Sequence, residues 1–133
     1  MARRLGALTA AVLVLAPAAE AKLCARIQVT PRPVIAGTWA WIEIRLYEGR
    51  WVDGALRPVG PALAGASRDV GVWADGPRGA GDVIRLRASP SDPTLFRARY
   101  LFRRAGFWRL EWSEWPWPES PCSGTTGLFV RNP

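Results

Sequence analysis

The chain has 133 residues, 49% of them hydrophobic and 22% charged, which is one domain's worth of sequence. Lys and Arg number 18 against 11 Asp and Glu, a formal charge of +7, and there is no His. With one Met, at position 1, and two Cys, the composition excludes Ser-His-Asp and Cys-His catalysis, imidazole or thioether metal sites, and a four-thiolate zinc site.

Residues 1–21 read as a signal peptide, separate from the fold. Arg3 and Arg4 supply a positive start, Leu5–Ala16 is an apolar run of 12 residues, and Ala19-Glu20-Ala21 is an A-x-A cleavage site. The run is short for a membrane span, which needs about 20 residues. An uncleaved anchor is the alternative, and the only segment by which the chain would insert into a membrane. Ala21-Lys22-Leu23 before Cys24 is not the small-residue run of a lipidation box. Cleavage after Ala21 leaves Lys22–Pro133, a mature domain of 112 residues. Export sets an oxidising compartment, extracytoplasmic, whether periplasmic or secreted. There Cys24 and Cys122 are expected to form a disulfide. Loop-closure entropy assigns such a long bridge about 4.7 kcal/mol as an upper figure. A redox thiol is the other reading, but there is no C-x-x-C and no neighbouring His.

The mature chain is patterned for strands. Ala25, Ile27 and Val29 alternate with Arg26 and Gln28, and Pro31-Arg32-Pro33 ends that strand because proline donates no ladder hydrogen bond. Ala36-Gly37 turns the chain. Thr38–Tyr47 then carries the clearest period of two, with Ala40, Ile42, Ile44 and Leu46 toward a core. Trp39, Trp41, Glu43, Arg45 and Tyr47 fall on the other side. Ala55–Ser67, with Pro58, Gly60, Pro61 and Gly65, reads as an irregular loop. Asp69–Ala74 is a short strand with Val70, Val72 and Ala74 on one side. Asp75-Gly76-Pro77 ends it. Asp82–Ala88 turns Ile84 and Leu86 inward and Arg85 and Arg87 outward. Ser89-Pro90-Ser91-Asp92-Pro93 is a turn by composition. Leu95–Arg103 places Phe96, Ala98, Tyr100 and Phe102 opposite Arg97, Arg99 and Arg103. Ala105-Gly106 leads into Phe107–Trp112, with Trp108, Leu110 and Trp112 inward. Gly127–Arg131 is the last strand. About seven short strands between Gly/Pro turns predict an antiparallel β-sandwich of immunoglobulin-like type, with a small barrel as the competing architecture.

Two stretches carry a resemblance. Pro31-Arg32-Pro33-Val34-Ile35-Ala36-Gly37 precedes an alternating strand, and Thr94–Phe102 leads to Ala105-Gly106-Phe107-Trp108-Arg109-Leu110. Together they resemble exported bacterial immunoglobulin-like domains of the YtkA-like and FixH-like kind, over about Cys24–Trp112. In those domains a Pro…Gly lead-in precedes the second strand and a Gly-x-Trp-x-Leu hairpin closes the sandwich. The resemblance implies a small extracytoplasmic accessory domain, and in some members copper handling. The mature chain departs from the latter by having neither His nor Met.

The chemistry legible in the residues is binding, without a cofactor or a catalytic centre. The only Lys, Lys22, sits beside the cleavage point, so a Ser-Lys pair has no rigid support. Glu43 and Glu111 occupy outward positions, where a solvated charge is the ordinary expectation. Asp75, Asp82 and Asp92 are too scattered for a calcium loop. Two outer features are candidate binding surfaces. The first is Trp39 and Trp41, with Tyr47 beyond, flat rings that stack on sugars or receive a partner unless the 48–68 loop or the Trp115-Pro116-Trp117-Pro118 arm covers them. The second, taken as a separate surface, is Arg85, Arg87, Arg97 and Arg99, with Arg103 at its edge, suited to anionic envelope polymers, lipid headgroups or an acidic protein. The expected role is an exported interaction or structural module of the cell envelope with a protein or polysaccharide partner. A carbohydrate-binding module using the tryptophans is the alternative, and no specific nucleic-acid binding is expected.

Overall fold

The computed structural model describes residues 23–65, 68–114, 122 and 125–133. The signal segment and the Trp115-Pro118 arm lie outside the described residues. The described chain is all-β, with one short 3₁₀ turn at Pro77–Gly79. Its strands are β1 (Leu23–Thr30), β2 (Trp39–Val52), β3 (Ala55–Val59), β4 (Val70–Asp75), β5 (Gly81–Ser89), β6 (Asp92–Leu101), β7 (Gly106–Glu114) and β8 (Thr125–Val130).

All strand pairs are antiparallel, in the order β1-β2-β6-β5-β4-β7-β8, with β3 added to β2. The strip curls until its ends approach. The Ala36 N–H donates to the Arg131 carbonyl at 2.8 Å, and the Arg131 N–H donates to Val34 at 2.9 Å. This short parallel bridge at Ile35 and Arg131 leaves the sheet nearly barrel-shaped.

The period of two in each strand sets its buried face. Ala40, Ile42, Ile44 and Leu46 of β2 are buried, as are Val70, Val72 and Ala74 of β4, Ile84 and Leu86 of β5, and Trp108, Leu110 and Trp112 of β7. Removing the Val, Leu and Ile side chains among them from water contributes about 1.5–3 kcal/mol each. At one end of the barrel the core is aromatic. The Phe102 and Trp108 rings meet edge to face at 5.2 Å, and Tyr100 meets Phe102 at 4.8 Å. The Trp108 indole N–H donates to the Arg104 carbonyl at 2.9 Å, which pins the β6–β7 connection over the core.

One segment differs from the sequence expectation. Instead of an irregular loop over 55–67, β2 continues to Val52 and returns as β3, with Val52 opposite Ala55. The two turn residues, Asp53 and Gly54, have φ of 49° and 78°. A two-residue hairpin turn requires positive φ at both central positions, and Asp-Gly is a preferred pair for it. Pro58 is tolerated because, among the described residues, β3 pairs with β2 alone, so no described ladder needs the missing N–H on its outer side. Among the described residues the count is therefore eight strands rather than seven.

The disulfide forms as expected. Cys24 and Cys122 are bonded with their Cα atoms 4.8 Å apart and both side chains buried. Cys24 faces away from the core, opposite Tyr47. It is covered because Cys122 lies over it, with its Sγ 3.5 Å from the Leu56 carbonyl of β3. The bond thus ties β1 to the chain entering β8 on the outside of the barrel. A disulfide of this kind is at home in an oxidising, extracytoplasmic compartment. Among the described residues no helix is long and apolar enough to cross a membrane.

Candidate functional site: an arginine–aromatic stripe

The outward residues of β2 run in the order Trp39, Trp41, Glu43, Arg45, Tyr47 along the middle of the β1-β2-β6-β5 face. Pairing with β6 sets Trp41 beside Arg99 and Glu43 beside Arg97. Pairing with β1 sets Thr30 beside Trp41, Gln28 beside Glu43 and Arg26 beside Arg45. On the far side of β6, Arg87 of β5 lies opposite Arg97. Two strands with an alternating pattern therefore interleave rings from one with guanidinium groups from the other.

The rings and guanidinium groups stack. The Arg97 guanidinium carbon lies 3.8 Å from the centre of the Trp41 ring, and that of Arg99 lies 5.1 Å from Trp39 and 5.9 Å from Trp41. Arg26 lies 5.1 Å over Tyr47. A cation over a ring face gains about 0.5–1 kcal/mol at exposed sites and about 2 kcal/mol when desolvated. Stacking also holds the planar guanidinium flat against the ring.

Two carboxylates order the stripe. Glu43 accepts a hydrogen bond from the Thr30 hydroxyl at 3.0 Å and sits 3.8 Å from Arg97 Nε. That nitrogen is buried and has no hydrogen-bond partner among the described residues, so its attraction to Glu43 is coulombic. Asp92 accepts from the Thr94 hydroxyl at 2.6 Å, from the Thr94 N–H at 3.0 Å and from Arg45 Nη1 at 2.9 Å. These contacts, the Thr94 hydroxyl first, hold the Asp92 carboxyl down at about 2. Asp92 therefore stays ionised near neutrality and is unsuited to donate a proton. Beside this network Arg26, Gln28, Glu43, Arg45, Tyr47 and Pro58 line a concavity of about 790 Å³.

The predicted site residues are partly reorganised by the fold. Trp39, Trp41, Arg97 and Arg99 are one surface and not two separate ones. Among the described residues, Arg97 and Arg99 of the neighbouring strand lie over the Trp41 ring; the Trp115-Pro118 arm, the other expected cover, lies outside them. Trp39 keeps 56% of its surface exposed. Arg87 adjoins the stripe, whereas Arg85 turns toward β4 and faces Asp69 at 3.7 Å. Tyr47 lies at the opposite end from Trp39, next to the disulfide. Glu43 is a half-buried partner of Thr30 and Arg97 rather than a solvated charge. The sequence did not single out Arg26, Arg45 or Thr94, and pointed to Asp92 only as one of three acids too scattered for a calcium loop. Arg26 and Arg45 had the parity to be found, but their assembly depends on strand register.

The stripe can bind and orient a ligand through stacked cations and an exposed ring. Among the described residues no group of three or more Asp, Glu, Cys or His side chains is placed to hold a metal ion. The chain matches no protein-family model and no curated protein sequence.

Proposed function

We propose that this protein is an exported, non-catalytic immunoglobulin-like module of the bacterial cell envelope, and that its β1-β2-β6-β5 face binds an acidic polysaccharide. The strand order supports the immunoglobulin-like reading. Taken as two halves, β1-β2-β6-β5 and β4-β7-β8 follow the A-B-E-D and C-F-G orders of a constant-type domain, with β3 as an addition. The signal-like leader and the disulfide support export to the periplasm or beyond. The resemblance to YtkA-like and FixH-like domains supports an accessory role. Copper handling is not proposed, since the mature chain has neither His nor Met.

The observation that carries the ligand reading is the stacking of Arg26, Arg97 and Arg99 on Tyr47, Trp41 and Trp39, three aromatic rings of one strand. Stacked guanidinium groups lose little freedom on meeting a carboxylate, and an extended anion can follow the strand. Neutral-sugar stacking is the less favoured alternative, because the Trp41 face is already occupied by Arg97. Binding to immobilised polygalacturonate, with dextran as the neutral control, tests the proposal. The domain should bind the acidic polymer, weaken steeply as salt is raised, and lose binding in the Arg97→Gln/Arg99→Gln variant. Equal binding to dextran, or unchanged binding by that variant, refutes it.

A further inference from the structure

A second site lies at the end of the barrel, where the β4–β5 and β6–β7 connections meet. Trp39, Asp82, Tyr100, Arg103, Arg104 and Trp108 line a groove of about 440 Å³ there. That volume is within the range of small-molecule sites, about 300–1,000 Å³. Its floor is fixed, because the buried Trp108 packs on Phe102 and its N–H is held by the Arg104 carbonyl. One wall is the exposed ring of Trp39. Arg103 and Arg104 are exposed at the mouth, and neither forms an ion pair among the described residues. The Tyr100 hydroxyl also lacks a hydrogen-bond partner among them. Its pKa is raised, chiefly by burial and then by the nearby Asp82 carboxylate, with Arg103 opposing. The phenol therefore stays protonated and is available as a donor.

We infer that this groove binds a small aromatic carboxylate, with its ring against Trp39 and its carboxylate between Tyr100 and the two arginines. The ligand class follows from what the walls offer. Two unpaired guanidinium groups and a phenol donor select an anion. The exposed indole selects a flat apolar body. Asp82, near enough to Tyr100 to raise its pKa, limits the negative charge the groove accepts, so a monoanion fits better than a phosphate. The site stands independently of the polysaccharide reading, although Trp39 lies at the junction of the two surfaces.

The test is a titration of the disulfide-intact protein followed by amide and indole NMR, with benzoate as the probe. Benzyl alcohol supplies the ring without the charge, and inorganic phosphate supplies charge without the ring. Benzoate should saturably shift the Trp39 indole and the Gly81 and Leu101 amides, and both controls should bind more weakly. The Arg103→Gln/Arg104→Gln variant should weaken benzoate by about tenfold or more, the scale of a lost charge-assisted hydrogen bond. Tyr100→Phe, which keeps the ring packing, should weaken it by a smaller factor. Arg97→Gln, which disables the stripe, should leave benzoate binding unchanged. No saturable shift at these groups, equal binding of benzyl alcohol, or full affinity in the double-arginine variant would overturn the inference.

Discussion

Gly76→Ala probes how tightly the aromatic end of the core is closed. Gly76 has φ −112° and ψ −179°, extended backbone that any residue adopts, so alanine meets no conformational penalty there. The obstacle is steric. A Cβ at this position would sit 2.6 Å from the Trp108 ring, with two further ring carbons at 2.7 Å. Trp108 cannot retreat easily, because it is 2% exposed, packed edge to face on Phe102, and tethered through its N–H to Arg104. Forcing an extra carbon into such a contact costs about 1–3 kcal/mol. Trp108→Ala by itself should cost about 3–5 kcal/mol, the loss of a buried large ring. The two must not add. With the ring gone, the added methyl has space, and Gly76→Ala should cost nearly nothing in the Trp108→Ala background. Urea denaturation of the wild type, both single variants and the double variant, with the disulfide intact, closes the cycle. A Gly76→Ala cost that is the same in both backgrounds would show that the contact with Trp108 is not its cause.

Two further outcomes are expected. Intact mass of the exported protein should correspond to a chain starting at Lys22, with no cysteine alkylated unless the unfolded sample is first reduced; two labelled cysteines without reduction would contradict the disulfide, and Cys24→Ala should lower the melting temperature by opening the 98-residue separation it closes. Asp92 has a folded-state pKa of about 2, below its unfolded value near 3.8, so its contribution is present above about pH 4 and is lost as pH falls toward 2; thermal melts from pH 5 to pH 2 should show that Asp92→Asn flattens this acid-side loss, and an unchanged profile would contradict the Thr94 and Arg45 contacts as its source.

What each strand buries was legible before any tertiary structure. A side-chain period of two is a local property of extended backbone, so Ala40 to Leu46, Val70 to Ala74, and Trp108 to Trp112 declare their inward faces by alternation alone. The cysteine pair was legible for a different reason, since a chain with two Cys has one intramolecular bond available to it in an oxidising compartment. The β3 hairpin was legible as well, in Asp53-Gly54, but Pro58 and Gly60 obscured it. A proline argues against a strand only when both sides of that strand must be paired, and that is a fact of sheet order. The stripe required tertiary structure. Parity places the rings of β2 and the arginines of β6 outward, yet says nothing about which neighbours they meet. That is decided by a register joining Trp41 to Arg99 and Glu43 to Arg97 across more than fifty residues of chain. The end groove is further still from the sequence, because Trp39, Asp82, Tyr100 and Arg104 share no pattern. They converge because the strip of strands curls far enough for two remote connections to close over the same aromatic core.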